Sequence, residues 1–178
     1  LASGKGSAYE GGIRVPMLVK WPGVTAPGSV CDDYLIIEDF FPTILEMGGL
    51  TTYETVQQVD GQSFVPLLKG ESTGSEERAL FWHFPNNWGP TGPGIGASST
   101  IRLGKWKLIY YHEDQRFELF DLEADIGEQH NLAAREPDQV NALAKELSDY
   151  LISVNAQMPL DKQSGQPVPL PGVKTKEL

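Results

Sequence analysis

Between Ala79 and Val154 the hydrophobic period changes once, and that change constrains the fold more than any other feature. Residues 79–84, 100–103, 106–111 and 117–122 read as strands, with Gly104-Lys105 and Glu113-Asp114-Gln115 as turns between the last three. From Pro137 the spacing becomes helical, and Val140, Leu143, Ala144, Leu147, Leu151 and Val154 fall on one stripe. Strands joined by such short turns run antiparallel. An apolar stripe of this kind needs a sheet to cover it. The expectation for residues 78–158 is therefore α+β: a small antiparallel sheet packed on one long helix.

The first part of the chain has another texture. Gly4, Gly6, Gly11 and Gly12 make a loop whose backbone can come close to a ligand. Residues 13–21 form a mostly apolar run that reads as a strand covered on both faces, as in an α/β sheet, with Pro16 at a bulge or at the strand's start. Residues 37–50 carry helix marks: Asp39 as a cap, Pro42 in the first turn, and Gly48-Gly49 at the end. Phe41, Ile44, Leu45 and Gly48 share one face of that helix, which is expected to be buried. A second short helix is expected over 64–69. The polar, aperiodic stretch between Gly70 and Arg78 reads as a boundary. The expected domains are thus 1–70, 78–158, and a tail at 159–178 that contains Pro159, Pro167, Pro169 and Pro171.

Composition excludes several functions. The chain carries 14 basic against 24 acidic residues, a net charge of −10, which offers no basic face for nucleic acid. No apolar run is long enough to span a membrane. Cys31 is the single cysteine, so neither an internal disulfide nor a thiolate metal cluster is possible. Asp32 and Asp33 beside it oppose thiolate formation. His83, His112 and His130 lack metal-ligand spacing. His83 stands apart because it ends a strand beside the Pro85–Ser99 loop, where binding residues collect. Lys5 stands between Gly4 and Gly6, with Ser7 next. A compact anion could reach its ammonium and the nearby backbone N–H groups, and sulfate, phosphate and carboxylate fit equally.

Several segments together resemble the type I sulfatases. The first is Gly4-Lys5-Gly6-Ser7-Ala8-Tyr9-Glu10-Gly11-Gly12-Ile13-Arg14-Val15-Pro16, followed by Trp21-Pro22-Gly23. Glu38 to Leu45, Asp60-Gly61-Gln62-Ser63, and Ile101 to Ile109 continue the likeness in register. It closes with Glu118 to Leu122, then Asp125, Glu128, Asn131 and Leu132, while Ile126 stands where that family usually has proline. The similarity runs from about residue 4 to 155. It implies the C-terminal part of an alkaline-phosphatase-like mixed sheet, followed by the small antiparallel sheet and helix.

The resemblance also implies a chemistry, hydrolysis of aryl or carbohydrate sulfate esters by a formylglycine hydrate supported by calcium or a similar divalent ion. Lys5 matches the family's sulfate-binding lysine. His83, Asn86, Asn87 and Trp88 fall in the family's variable substrate-recognition loop, and Trp88 could stack on a sugar or aryl face. Glu10 and Arg14 are expected to be structural ions that hold the lysine loop in shape. Cys31 lacks the Cys/Ser-x-Pro-x-Arg context of a formylglycine precursor, and the family's acidic metal ligands and Asp-Asn-Gly are not in the sequence. The expectation is a C-terminal portion whose nucleophile and most metal ligands lie in an N-terminal part of the same protein. Such a chain would be inactive alone, would bind no metal itself, would self-associate through uncovered strand edges, and would belong to a periplasmic or secreted enzyme. Two other readings stand beside this one: a non-catalytic module that binds sulfated glycans, and a fragment of a phosphodiester or phosphonate hydrolase.

Overall fold

The structure, a computed structural model, describes residues 1–72, 78–87 and 89–172. The chain divides into two compact units, one formed by residues 1–15 with 79–178 and the other by 16–78. This partition differs from the boundaries read from the sequence, because the first fifteen residues pack with the second half of the chain. The reason lies in the sheet, which buries side chains on both faces.

That sheet is an antiparallel meander of β1 (Ala79–Phe84), β2 (Ser98–Leu103), β3 (Trp106–Tyr111) and β4 (Phe117–Asp121), in spatial order β1-β2-β3-β4. Its register sets Ile101 opposite Leu108 and Leu108 opposite Leu119. These three side chains point to one face because alternate residues of a strand share a side. The helix α4 (Pro137–Ser153) covers that face with Val140, Leu143, Ala144, Leu147 and Leu151. Each large apolar side chain buried there contributes roughly 1.5–3 kcal/mol. The helical stripe is thus as expected except at its end: α4 stops at Ser153, and Val154 in the following turn is 51% exposed. Residues 159–172 also pack on this unit, since Tyr110 Oη donates to the Pro169 carbonyl at 2.9 Å and Leu170 lies against the core.

Ile109, Tyr111, Phe120 and Leu122 form a second buried cluster with Tyr9, with Ala2 and Ala8 packed against it. Residues of the glycine-rich opening therefore cover the sheet's other face. Tyr9 Oη and Tyr111 Oη both donate to Glu118 Oε2 at 2.9 Å, and the Tyr9 ring meets Phe120 edge-on. The Arg116 guanidinium stacks on Tyr111, 3.7 Å from the ring centre.

The 16–78 unit is organised around a buried ion pair. A 3₁₀ turn, Ile37–Asp39, leads into α2 (Phe40–Met47), and α3 (Val65–Leu68) follows the Asp60-Gly61 turn. Asp39 is fully buried and accepts Arg78 Nη1 at 2.9 Å and Nη2 at 2.8 Å. It also accepts the N–H groups of Ile36 and Gln62 at 3.0 and 2.9 Å, so the carboxylate is saturated. Gly61 is required here, because a Cβ would lie 2.0 Å from the Glu38 carbonyl oxygen.

Two expectations are corrected in this unit. Asp39 does not cap α2 through its side chain, and the Phe41/Ile44 face is exposed; the buried positions are Pro42 and Thr43. Thr43 explains the difference: its hydroxyl donates to the Asp39 carbonyl at 2.6 Å and accepts Phe64 N–H at 3.0 Å, so α2 docks by its polar side. Residues 13–21 form no strand. Glu10–Ile13 is a short helix, α1, and the apolar run after it pairs with nothing among the described residues. Val15 and Leu18 are 78% and 99% exposed. A strand exists only beside a partner whose ladder groups it can satisfy, and apolar composition cannot supply that partner.

Candidate functional site

Lys5 is exposed, and among the described residues its ammonium has no hydrogen-bond or ion-pair partner. The loop carrying it is nevertheless tightly defined. Ser7 N–H donates to the Gly4 carbonyl at 3.0 Å, closing a turn around Lys5 and Gly6, and Gly6 takes φ +88°. The loop then folds back over α1. A Cβ on Gly12 would lie 2.1 Å from the Ser7 carbonyl oxygen and 2.8 Å from that of Gly4, and one on Gly11 would lie 2.2 Å from the Ala2 carbonyl oxygen. The paired glycines of α1 thus let the lysine loop rest directly on helix backbone.

The helix is fixed to the sheet by buried charge. Lys107 of β3 is fully buried, with its ammonium 3.0 Å from Glu10 Oε1 and 2.8 Å from Glu128 Oε1. Glu128 Oε2 accepts the Glu10 backbone N–H at 2.6 Å, so one carboxylate holds both the cation and the start of α1. Arg102 and Arg14 lie 3.9 and 3.7 Å from Glu10 Oε2. Burial pushes the Glu128 carboxyl up, while Lys107 and the Glu10 N–H pull it back. Glu128 holds this position with φ +52°, a left-handed backbone that a non-glycine residue adopts only under local constraint. The structural role expected for Glu10 is what its contacts describe. Lys107 and Glu128 fall in segments that carry the family likeness, but the sequence assigns neither of them a role in holding the loop. The available signal was parity: Lys107 shares its strand face with Ile109 and Tyr111, a face too apolar to leave a lysine in water.

The lysine loop is also joined to the loop between β1 and β2. Ser7 Oγ donates to the Pro93 carbonyl at 3.0 Å, and Ala8 N–H donates to the Gly94 carbonyl at 2.8 Å. In this way the structure brings the segment after Lys5 together with Pro93-Gly94 of the β1–β2 loop. Asn86 and Asn87 are exposed on that loop, and Asn87 Oδ1 accepts Gly89 N–H at 3.0 Å. Trp88 lies outside the described residues. His83 Nδ1 lies 2.8 Å from Ser99 Oγ, and its Nε2 is 3.1 Å from the Gln157 carbonyl oxygen. Both of its ring nitrogens are therefore engaged by the chain's own groups. Ser99 Oγ is also 3.2 Å from Nε2 of the buried His112, whose ring meets His83 edge-on. Burial first, and the neighbouring His83 second, depress the His112 pKa to about 4.

The residues present do not fit the cofactors that the sulfatase resemblance implies. Among the described residues no group of three His, Cys, Asp or Glu side chains could hold a metal ion. Cys31 is exposed, and partial desolvation together with the Asp33 and Asp32 carboxylates raises its thiol pKa. No described helix is long and apolar enough to cross a membrane.

Replacing Lys107 with Met strands two carboxylates in the interior. Lys107→Met is expected to cost about 3–5 kcal/mol of stability, read by urea unfolding. The pH dependence has a definite sign as well. His112 stays neutral in the native state down to about pH 4, whereas an unfolded histidine protonates near 6.5. Its contribution is complete above pH 6.5 and is lost as pH falls towards 4. Glu128, with its raised pKa, acts in the opposite direction, because its contribution is lost as pH rises. His112→Gln is therefore expected to flatten the loss of stability between pH 6.5 and 4 relative to the unmodified chain, measured by unfolding midpoints across that range.

Comparison with known proteins identifies this framework. The C-terminal family profile of N-sulphoglucosamine sulphohydrolase matches residues 4–157. A sulfatase of Formosa agariphila is 35% identical over 94% of this chain and 32% of its own length. The crystal structure of Ps i-CgsB matches with a TM-score of 0.70 and 26% identity, covering 84% of this chain and 31% of that one. BT4656 in complex with its substrate D-glucosamine-2-N,6-O-disulfate shares the fold at a TM-score of 0.51 and 24% identity, over 68% of this chain and 24% of that one. The chain spans a third or less of the length of each. With the lysine loop, the four-stranded sheet and α4 all inside the matched region, the chain belongs to the sulfatase family represented by the N-sulphoglucosamine sulphohydrolase C-terminal domain.

Proposed function

We propose that this chain is the C-terminal portion of a sulfatase that hydrolyses sulfate esters of saccharides or aryl alcohols, and that Lys5 contacts the sulfate. The observation that carries the reading is the family match over residues 4–157, whose first residues are an exposed lysine on a rigid loop. A cation fixed beside a sulfuryl oxygen favours the charge that grows as the ester S–O bond breaks, and it needs no reorganisation at that moment. Rigidity is what the Gly11-Gly12 packing and the Glu10–Lys107–Glu128 network add to that cation.

The nucleophile and the divalent ion of the family are assigned to the remainder of the protein, because the residues here fit neither. Asn86 and Asn87 are proposed to contact the alcohol part of the substrate, a role also expected from the sequence for Trp88, which lies outside the described residues. His83, engaged by Ser99 and Gln157, anchors the start of their loop. The exposed run around Val15 and Leu18 is proposed to be covered by the remainder of the protein. A sulfated saccharide is the favoured substrate class, in keeping with the glucosamine disulfate held by BT4656. The sulfatase relatives favour sulfuryl over phosphoryl transfer. A net charge of −10 disfavours a stand-alone binder of polyanions.

The test is Lys5→Ala in the full-length protein. Steady-state kinetics on sulfate esters are expected to show kcat/KM lower by about 10²–10³. Unchanged kcat/KM with a correctly folded variant would remove Lys5 from the site.

A further inference from the structure

We propose that Ser7 and Gly94 are specificity-determining positions: they fasten the β1–β2 loop to the lysine loop, so that sulfate and the rest of the substrate are read at a fixed separation. This inference rests on the assignment of Lys5 to the sulfate and of Asn86 and Asn87 to the alcohol part.

Two hydrogen bonds make the fastening, and a third, within the lysine loop, orients the Ser7 hydroxyl. Ser7 Oγ donates to the Pro93 carbonyl at 3.0 Å and accepts Tyr9 N–H at 3.0 Å, and Ala8 N–H donates to the Gly94 carbonyl at 2.8 Å. The Ser7 hydroxyl is buried and uses both its donor and an acceptor position, so no smaller side chain replaces it. Gly94 is buried with φ +72°. A Cβ there would lie 2.2 Å from Ser7 Oγ and 2.5 Å from the Tyr9 ring. Only glycine lets the two loops meet this closely.

The two loops differ in what else holds them. The lysine loop keeps its own support in Gly11, Gly12 and the Glu10–Lys107–Glu128 contacts, none of which involves the β1–β2 loop. The β1–β2 loop is held at its ends by the strands, and among the described residues the Pro93-Gly94 hydrogen bonds are those that tie it to Ser7 and Ala8 of the lysine loop. At about 3.3–3.6 Å per residue, Lys5 lies within about 7 Å of Ser7 and Asn87 within about 25 Å of Gly94. Those limits admit an oligosaccharide as well as a monosaccharide. Releasing the fastening therefore loosens recognition of the alcohol part and leaves the sulfate contact in place.

The experiment uses the full-length protein with Ser7→Ala, Gly94→Ala and Lys5→Ala. Each variant is assayed on 4-nitrophenyl sulfate and on the best-turned-over member of a sulfated-saccharide panel that includes D-glucosamine-2-N,6-O-disulfate. Ser7→Ala and Gly94→Ala are expected to raise KM for the saccharide about tenfold, with kcat/KM on the aryl ester within about twofold of the parent. Lys5→Ala is expected to lower activity on both. Equal losses on both substrates in Ser7→Ala, or no change on either, overturns the fastening even where Lys5→Ala behaves as expected. An inert Lys5→Ala overturns the underlying assignment instead. Should Gly94→Ala fail to fold, Ser7→Ala decides alone, and Ser7→Thr, which keeps the hydroxyl, is expected to restore the saccharide KM.

Discussion

A lysine ammonium buried between two carboxylates holds the N-terminal segment to the sheet, and the placement of Lys5 follows from it. Lys107 cannot be left unpaired in the interior, since a lone buried charge costs far more than a surface one. It takes Glu10 from α1 and Glu128 from the turn after β4, and Glu128 in turn accepts the Glu10 N–H. A buried ion pair adds little net stability over an apolar packing of equal volume. What it adds here is uniqueness of place, because α1 can dock only where its carboxylate meets the ammonium. The lysine loop, resting on Gly11 and Gly12, inherits that position.

The other unit uses the same device. Asp39 takes both guanidinium nitrogens of Arg78 and two backbone N–H groups, which ties the segment before α2, the Gln62 turn and the end of the unit to one carboxylate. In both units the apolar area alone leaves much exposed: Val15 and Leu18 in the opening run, and Ile44 on α2. Short, glycine-rich segments bury too little to fix themselves by packing, and saturated buried charges fix them through geometry instead.

The sheet and α4 were legible because their signals are periodic and local: alternation over β3, turns of two or three residues, and a stripe from Val140 to Leu151. Residues 13–21 were misread because an apolar run states that something covers it and not what does. Phe41 and Ile44 misled for a related reason, since the docking side of α2 is set by Asp39 and Thr43, whose partners lie 21 to 39 residues away in sequence. Within the candidate site, the flanking glycines and the family likeness point to Lys5, and the same motif points to Glu10. Lys107 and Glu128 are distant from that motif and ordinary in type, so only the inward parity of Lys107 pointed to burial. The fastening by Ser7 and Gly94 joins residues 86 or more positions apart and leaves no local trace.

The central claim, that buried charge rather than loop composition fixes the lysine loop, is tested most directly by native-state hydrogen exchange at the Glu10 amide. Because this N–H donates to a buried carboxylate behind a buried lysine, the account predicts protection comparable to that of Ile109 in the core of β3. Exchange as fast as that of exposed Leu18 would contradict it, and would make the opening segment a loop that visits the sheet without being held there.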